Sequence, residues 1–214
     1  MKKAIALMIF SALSLPALKS QEADRAYHEF KTLFGDRNVT HGGYGALTIN
    51  YSRIDSKDAL QVGARGAWVI GHSVALGMGG SAFVNDYSWN PGLLGGRNVN
   101  LTGGYGGLLI EPIIFPKFPV HISIPVLIGA GGIAYTSTYN PYPYDSQSFD
   151  LIVEDASGYL LAEPGIELEL NVVRFFRLAL GGYYRFASDI QLYDTPPDVL
   201  NGWSFGICLK FGKF

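Results

Sequence analysis

The sequence predicts an all-β chain, an eight-stranded antiparallel up-and-down transmembrane β-barrel behind a cleaved signal peptide. Three observations carry this reading. Apolar residues alternate with small or polar ones in eight segments between about residues 43 and 213, and a period of two marks a strand. Charged residues make up only 16% of the chain, beside 14% aromatics and 27 glycines, whereas a water-soluble domain carries about 25% charge. The connections are mostly short on one side and long on the other, the layout of a barrel with tight turns at one rim and loops at the opposite rim.

Residues 1–20 read as the signal: Lys2 and Lys3 precede the apolar run "AIALMIFSALSLPAL", and Ser20 is a small residue before Gln21. Their removal takes Lys2, Lys3 and Lys19 and leaves 13 basic residues against 18 acidic, a net charge of −5. Such a chain has no nucleic-acid footprint. Its one cysteine, Cys208, excludes an internal disulfide framework and cysteine-rich zinc sites. Residues 21–39 read as a tail or short helix, with Ala26, Phe30 and Leu33 as a weak stripe, and residues 40–214 form the barrel.

The first strand sets Leu47, Ile49 and Tyr51 against Ala46, Thr48, Asn50 and Ser52. The second sets Leu60, Val62, Ala64, Trp68 and Ile70 against Gln61, Gly63, Arg65 and Ala67. The third opposes Val74, Leu76, Met78, Ala82 and Val84 to Ala75, Gly77, Gly79, Ser81 and Phe83. The fourth has Val99, Leu101, Tyr105 and Leu109 on one face and Asn98, Asn100, Thr102 and Gly104 on the other. The fifth, "PVHISIPVLIGAGGIAYTS", is apolar enough to suggest a membrane helix. Its prolines and glycines and its Val/Ile/Tyr content argue for a strand instead. Val120, Ile122, Ile124, Val126 and Ile128 then meet lipid, while His121, Ser123, Pro125, Leu127, Gly129 and Gly131 face inward.

The sixth strand, "SGYLLAEPGIELELN", turns Tyr159, Leu161, Glu163, Gly165, Glu167 and Glu169 inward. The seventh turns Arg177, Ala179, Gly181, Tyr183 and Arg185 inward, and the eighth Ser204, Gly206, Cys208 and Lys210. Tight turns fall near Gly71–His72 and Asn171–Val172, and long loops are "DYSWNPGLLGGR", "YNPYPYDSQSFDLIVEDA" and "DIQLYDTPPDVLN". Closing the sheet removes edge groups that lipid cannot satisfy. Pro125 and Pro164 cannot donate to a ladder and are expected at bulges or strand ends.

These segments, the signal at 1–20 and the terminal aromatic Phe214 resemble the small eight-stranded outer-membrane barrels of the OmpA/OmpX transmembrane type, over about 170 residues. The resemblance implies outer-membrane lipids and the barrel assembly machinery as partners, Phe214 as the assembly signal, and a monomer without cofactor. Phe214 is out of phase with Phe205, Ile207, Leu209 and Phe211, so a bulge near Gly212 or a different reading of the signal is expected.

Arg65, Glu163, Glu167, Glu169, Arg177, Arg185 and Lys210 share inward parity. They read as an electrostatic plug rather than an ion path, because a dry lumen penalises lone charges. Counting back from a turn at about residues 171–173 sets Glu167 opposite Arg177, and Arg65 reaches toward Glu163 or Glu167. Tyr87, Trp89, Tyr139, Tyr142, Tyr144 and Phe149 are candidate contacts for a surface ligand or partner, or an interfacial girdle.

His121 and Ser123 form an H-x-S pair similar to that of outer-membrane lipid A deacylases, but they face the lumen without a clear third acid. "GGYGG" and "GAGG" lack the Lys-Ser/Thr of a phosphate loop. No catalytic or metal site is expected. A structural, adhesive or surface-interaction barrel is the leading function class. A lipid A-modifying enzyme and a soluble lipocalin-like binder are the alternatives.

Overall fold

A computed structural model of the chain describes residues 40–85, 88–90, 97–139 and 150–214. The segments 1–20 and 21–39 lie outside the described residues. The strands are β1 (His41–Ile54), β2 (Lys57–Ile70), β3 (Val74–Asn85), β4 (Ser88–Asn90), β5 (Arg97–Ile114), β6 (Val120–Ser123), β7 (Val126–Tyr139), β8 (Asp150–Val173), β9 (Phe176–Ala187) and β10 (Gly202–Lys213). All pairings are antiparallel. The ring closes because β1 pairs with β10 and β3 with β5. β6 and β7 are two halves of one stave between β5 and β8, and β4 only extends the upper end of β5. The barrel therefore has eight staves.

Its two faces are inverted relative to a soluble protein. Outside, Leu160 is 68% exposed, Met78 66%, Leu108 65% and Leu180 59%, while inside, Lys210 is 1% and Glu167 0% exposed. Large apolar side chains exposed around a whole ring are stable only against lipid. Aromatic residues edge this band: Trp68, Phe115, Phe118, Phe175 and Phe211 at the short-turn rim, and Tyr51, Phe186, Trp203 and Phe205 toward the loops. From Trp203 to Phe211 is roughly 27 Å along β10, or about 21 Å along the axis of a tilted barrel, close to the expected apolar height.

Sequence-level turn chemistry explains the rims. Asp55 and Ser56 both take positive φ (56° and 59°), as a two-residue type I′ hairpin requires. Gly71 and His72 do the same at the opposite rim.

Four sequence expectations need correction. First, the fifth predicted strand is broken at Ile124–Pro125. Pro125 lacks an N–H, so the Ile124 amide donates to Pro112 O (2.9 Å) and the Gly165 amide to Pro125 O (2.8 Å). Pro164 lies within β8, and the β8–β9 pairing lapses over Glu163 and Pro164 before resuming at Gly165 opposite Tyr183.

Second, β8 starts at Asp150, in what the sequence suggested was loop, and runs to Val173, past the expected turn. A bulge between Asn171 and Val173 and a turn at Arg174–Phe175 shift the register. Glu167 consequently sits opposite Gly181, and Arg177 opposite Asn171.

Third, the apolar face of β5 points inward: Leu101, Tyr105 and Leu109 are buried, while Leu108 and Ile110 meet the exterior. Fourth, Ile70, grouped by parity with the outward residues of β2, is buried.

Residues 188–201 fold down over the loop end of the lumen. Ile190, Leu192 and Leu200 are buried in one cluster with Ile54, Leu101, Ile133 and Tyr135. The amides of Gln191 and Tyr193 donate to Ser157 Oγ (3.0 Å) and Asp155 Oδ2 (2.8 Å), and the hydroxyls of Tyr135 and Thr195 meet at 2.7 Å. Below this apolar cap lie the charges.

Candidate functional site

The lumen holds two charge clusters. In the lower one, Lys210 on β10 extends its ammonium to three carboxylates, Glu111 on β5 and Glu167 and Glu169 on β8. One carboxylate oxygen from each of these three acids lies within 4.8 Å of the other two, a cage in which the tethered ammonium supplies the positive charge. Arg65 pairs with the other oxygen of Glu167, which also accepts from the Tyr183 hydroxyl. Arg177 Nη1 is 3.3 Å from Glu169 Oε2. Tyr44 donates to Glu111. Glu111, Glu167 and Glu169 are thus matched by Lys210, Arg65 and Arg177.

The upper cluster pairs Arg185 with Glu163, Nε to Oε2 at 3.3 Å. Tyr105 donates to the same carboxylate oxygen (2.5 Å), and Arg185 Nη2 donates to Gln61 Oε1 (2.9 Å). Between the clusters is a cavity of about 30 Å³ lined by Thr48, Asn50, Arg65, Ser81, Glu163 and Tyr183 among others. Counting lysine and arginine against glutamate, each cluster is balanced in charge. Buried charges are tolerable only when paired and hydrogen-bonded, and these pairs draw partners from different staves.

Glycines admit the large side chains. A Cβ at Gly165 or Gly181 would overlap the Tyr183 ring, so these two positions hold Tyr183 where it can reach Glu167.

Every candidate charge proposed from parity, Arg65, Glu163, Glu167, Glu169, Arg177, Arg185 and Lys210, lies inside the barrel. The pairing of Arg177 differs from expectation: the register shift gives it Glu169 and not Glu167. Sequence reasoning missed Glu111, Tyr44, Gln61 and Tyr105 as members of the network. Glu111 was detectable, because it lies on the same parity as Tyr105 and Leu109, an isolated acid continuing a buried face.

His121 and Ser123 join the lower cluster without pairing as nucleophile and base. His121 Nε2 lies 3.0 Å from Glu169 Oε2, and Ser123 Oγ donates to Glu167 Oε2 at 3.2 Å. Their hydrogen bonds run to different carboxylates, and both side chains are sealed in the lumen. An acyl-transfer site needs the hydroxyl on the base and open to substrate.

Phe214 also faces inward. The β1–β10 register is unbroken through Tyr44–Gly212 and Gly43–Lys213, so no bulge at Gly212 restores its phase. Its ring lies 3.8 Å from the Arg177 guanidinium carbon and stacks on Tyr44 at 5.8 Å. Of the candidate loop contacts, Tyr87, Tyr142, Tyr144 and Phe149 fall outside the described residues, as do the side chains of Trp89 and Tyr139.

No protein-family model matches the chain, and no curated protein matches it by sequence. Its structure aligns with the crystal structure of Neisserial surface protein A at a TM-score of 0.54 and 9% identity, covering 83% of this chain and 100% of that one. The N-terminal β-barrel domain of Pseudomonas aeruginosa OprF aligns at 0.40 and 13% identity, covering 80% and 96%. Ail, the attachment invasion locus protein of Yersinia pestis, aligns at 0.43 and 12%, covering 80% and 98%. The first alignment, taken with the closed ring and the apolar exterior, makes the fold that of a small eight-stranded outer-membrane β-barrel.

Proposed function

From the fold of a small outer-membrane barrel, we propose that this protein is a non-conducting, non-enzymatic integral outer-membrane barrel that acts through its loop end, as a structural, adhesive or surface-interaction protein. The observation that carries the reading is the lumen: two neutral charge clusters beneath an apolar cap formed by Ile190, Leu192 and Leu200. Such a filling supports a plug and leaves the loop rim as the face turned to other molecules. The short-turn rim then faces the periplasm. The burial of His121 and Ser123 supports a non-enzymatic role over lipid A modification. The name of the aligned Neisserial protein, a surface protein, accords with this class.

The test has two arms. Folded protein is expected in the outer-membrane fraction with heat-modifiable gel mobility, and planar-bilayer recordings are expected to show no stable conductance. Steady ion channels from the wild-type barrel would overturn the plug.

A further inference from the structure

The two rims carry opposite charge. Among the described residues, the loop rim bears Asp55, Asp58, Asp155, Asp189, Asp194 and Asp198 against Arg53 and Lys57. The short-turn rim exposes Lys117, Arg174 and Lys213, and the acids nearest to it among the described residues, Glu111 and Glu169, are buried inside against Lys210 and Arg177. With the lumen neutral, the described charge separates into an acidic end and a basic end. At the basic end an open cavity of about 540 Å³ is lined by Asn171, Val173, Arg174, Arg177, Lys213 and Phe214. None of these six side chains is acidic, and with Arg177 matched by Glu169, Arg174 and Lys213 are the two cations left over. Arg177 is held in place there by Glu169 and the Phe214 ring. Around the mouth, Phe115, Phe118, Val172, Phe175 and Phe211 are exposed at the lower edge of the apolar band.

We propose that this mouth is a binding site for the phosphate of an anionic phospholipid, taken from the leaflet that the short-turn rim contacts. Arg174 offers a fork of N–H donors that fits phosphate oxygens, and Lys213 a mobile ammonium. Arg177, already partnered, adds positive potential behind them. The lipid is favoured over a dissolved anion because the cations adjoin an apolar edge. A headgroup at Arg174 and Lys213 leaves its acyl chains against Val172, Phe176 and Phe211. The inference rests on the lipid-embedded reading and is independent of the surface role.

The probe is the full barrel in nanodiscs of phosphatidylcholine mixed with phosphatidylglycerol, extracted gently and examined by native mass spectrometry for retained lipid. Wild-type protein is expected to retain phosphatidylglycerol in preference to phosphatidylcholine. The Arg174→Gln/Lys213→Gln variant is expected to lose that preference, by about fivefold per cation removed. The charge-conserving Arg174→Lys/Lys213→Arg variant should keep it, as should Asp194→Asn/Asp198→Asn at the other rim. Equal retention of both lipids by wild-type protein would overturn the site. Loss of preference in Lys117→Gln as large as in the double variant would also overturn it, in favour of a diffuse rim field. Displacement of the lipid by millimolar inorganic phosphate would reassign the site to a free anion and overturn the lipid commitment. A barrel that inserts normally yet shows no preference defeats this site alone, whereas failure to insert would defeat the lipid-embedded reading.

Discussion

Lys210 Nζ lies 2.8 Å from Glu167 Oε2, with Glu111 and Glu169 on the same ammonium. One lysine thus keeps three buried carboxylates from repelling one another. Lys210→Met removes the charge and keeps much of the volume. It is expected to cost at least the about 3–5 kcal/mol typical of orphaning a buried ion, read as a lowered urea midpoint in lipid vesicles. Adding Glu111→Gln should recover part of the loss. A Lys210→Met barrel as stable as wild type would show that the cluster is not held by this charge.

Arg65 and Glu167 form the cross-lumen pair. Arg65→Gln and Glu167→Gln are each expected to destabilise, and the double variant should be less damaged than the sum of the two. The same cycle on Glu167 with Arg177 should be closer to additive, because Arg177 contacts Glu169. Strong coupling in the second cycle and none in the first would reverse the assigned register.

Gly181 adjoins the Tyr183 ring. Gly181→Ala is expected to cost about 1–3 kcal/mol through overpacking, and the cost should shrink when Tyr183→Ala makes room. Equal cost of Gly181→Ala in both backgrounds, by equilibrium unfolding, would mean the ring is not what the methyl meets.

Leu180 is 59% exposed near the middle of the apolar band, and Tyr193 is 56% exposed on the loop cap beyond it. Leu180→Arg should cost about 2–4 kcal/mol of folding free energy in lipid, and Tyr193→Arg close to nothing. Equal costs would contradict the placement of the band.

Cys208 is fully buried, so single cysteines introduced elsewhere can be labelled against a silent background. On whole cells, a membrane-impermeant maleimide is expected to label Asp198→Cys at the loop rim and to miss Lys117→Cys at the short-turn rim. The opposite pattern would invert the barrel in the membrane.

Strand number and the facing of most residues were legible because each stave has a lipid side and a packed side, and the period-two pattern records that contrast directly. β5 was the hardest to orient: glycines occupy both its faces, and its inward residues Leu101, Tyr105 and Leu109 are as apolar as lipid-facing ones. Pairing across the lumen was less legible than facing. The count from the turn put Glu167 opposite Arg177, but one bulge at Asn171–Val173 and a turn placed slightly later move the partner to Gly181. Glu169, opposite Ala179, then receives Arg177 as its diagonal neighbour on the same face. The interruption at Pro125 follows the expectation from its missing N–H, as it falls between the end of β6 and the start of β7. Its alignment with Pro112 and Pro164 on neighbouring staves was not foreseeable, since it depends on register.

The seam between β1 and β10 joins the first and last strands of the ring, and it governs how the barrel can form. Nearly the whole intervening chain must be in place before that ladder can close, so contact order is high and folding is expected to be slow. Lys210 is delivered by the last strand to acids waiting on β5 and β8. A ring still open at the seam would therefore expose both unpaired edges and unneutralised carboxylates. Partly built barrels are therefore expected to gain little stability, with closure bringing the last of the cations, Lys210, to the cluster that Arg65 and Arg177 neutralise only in part.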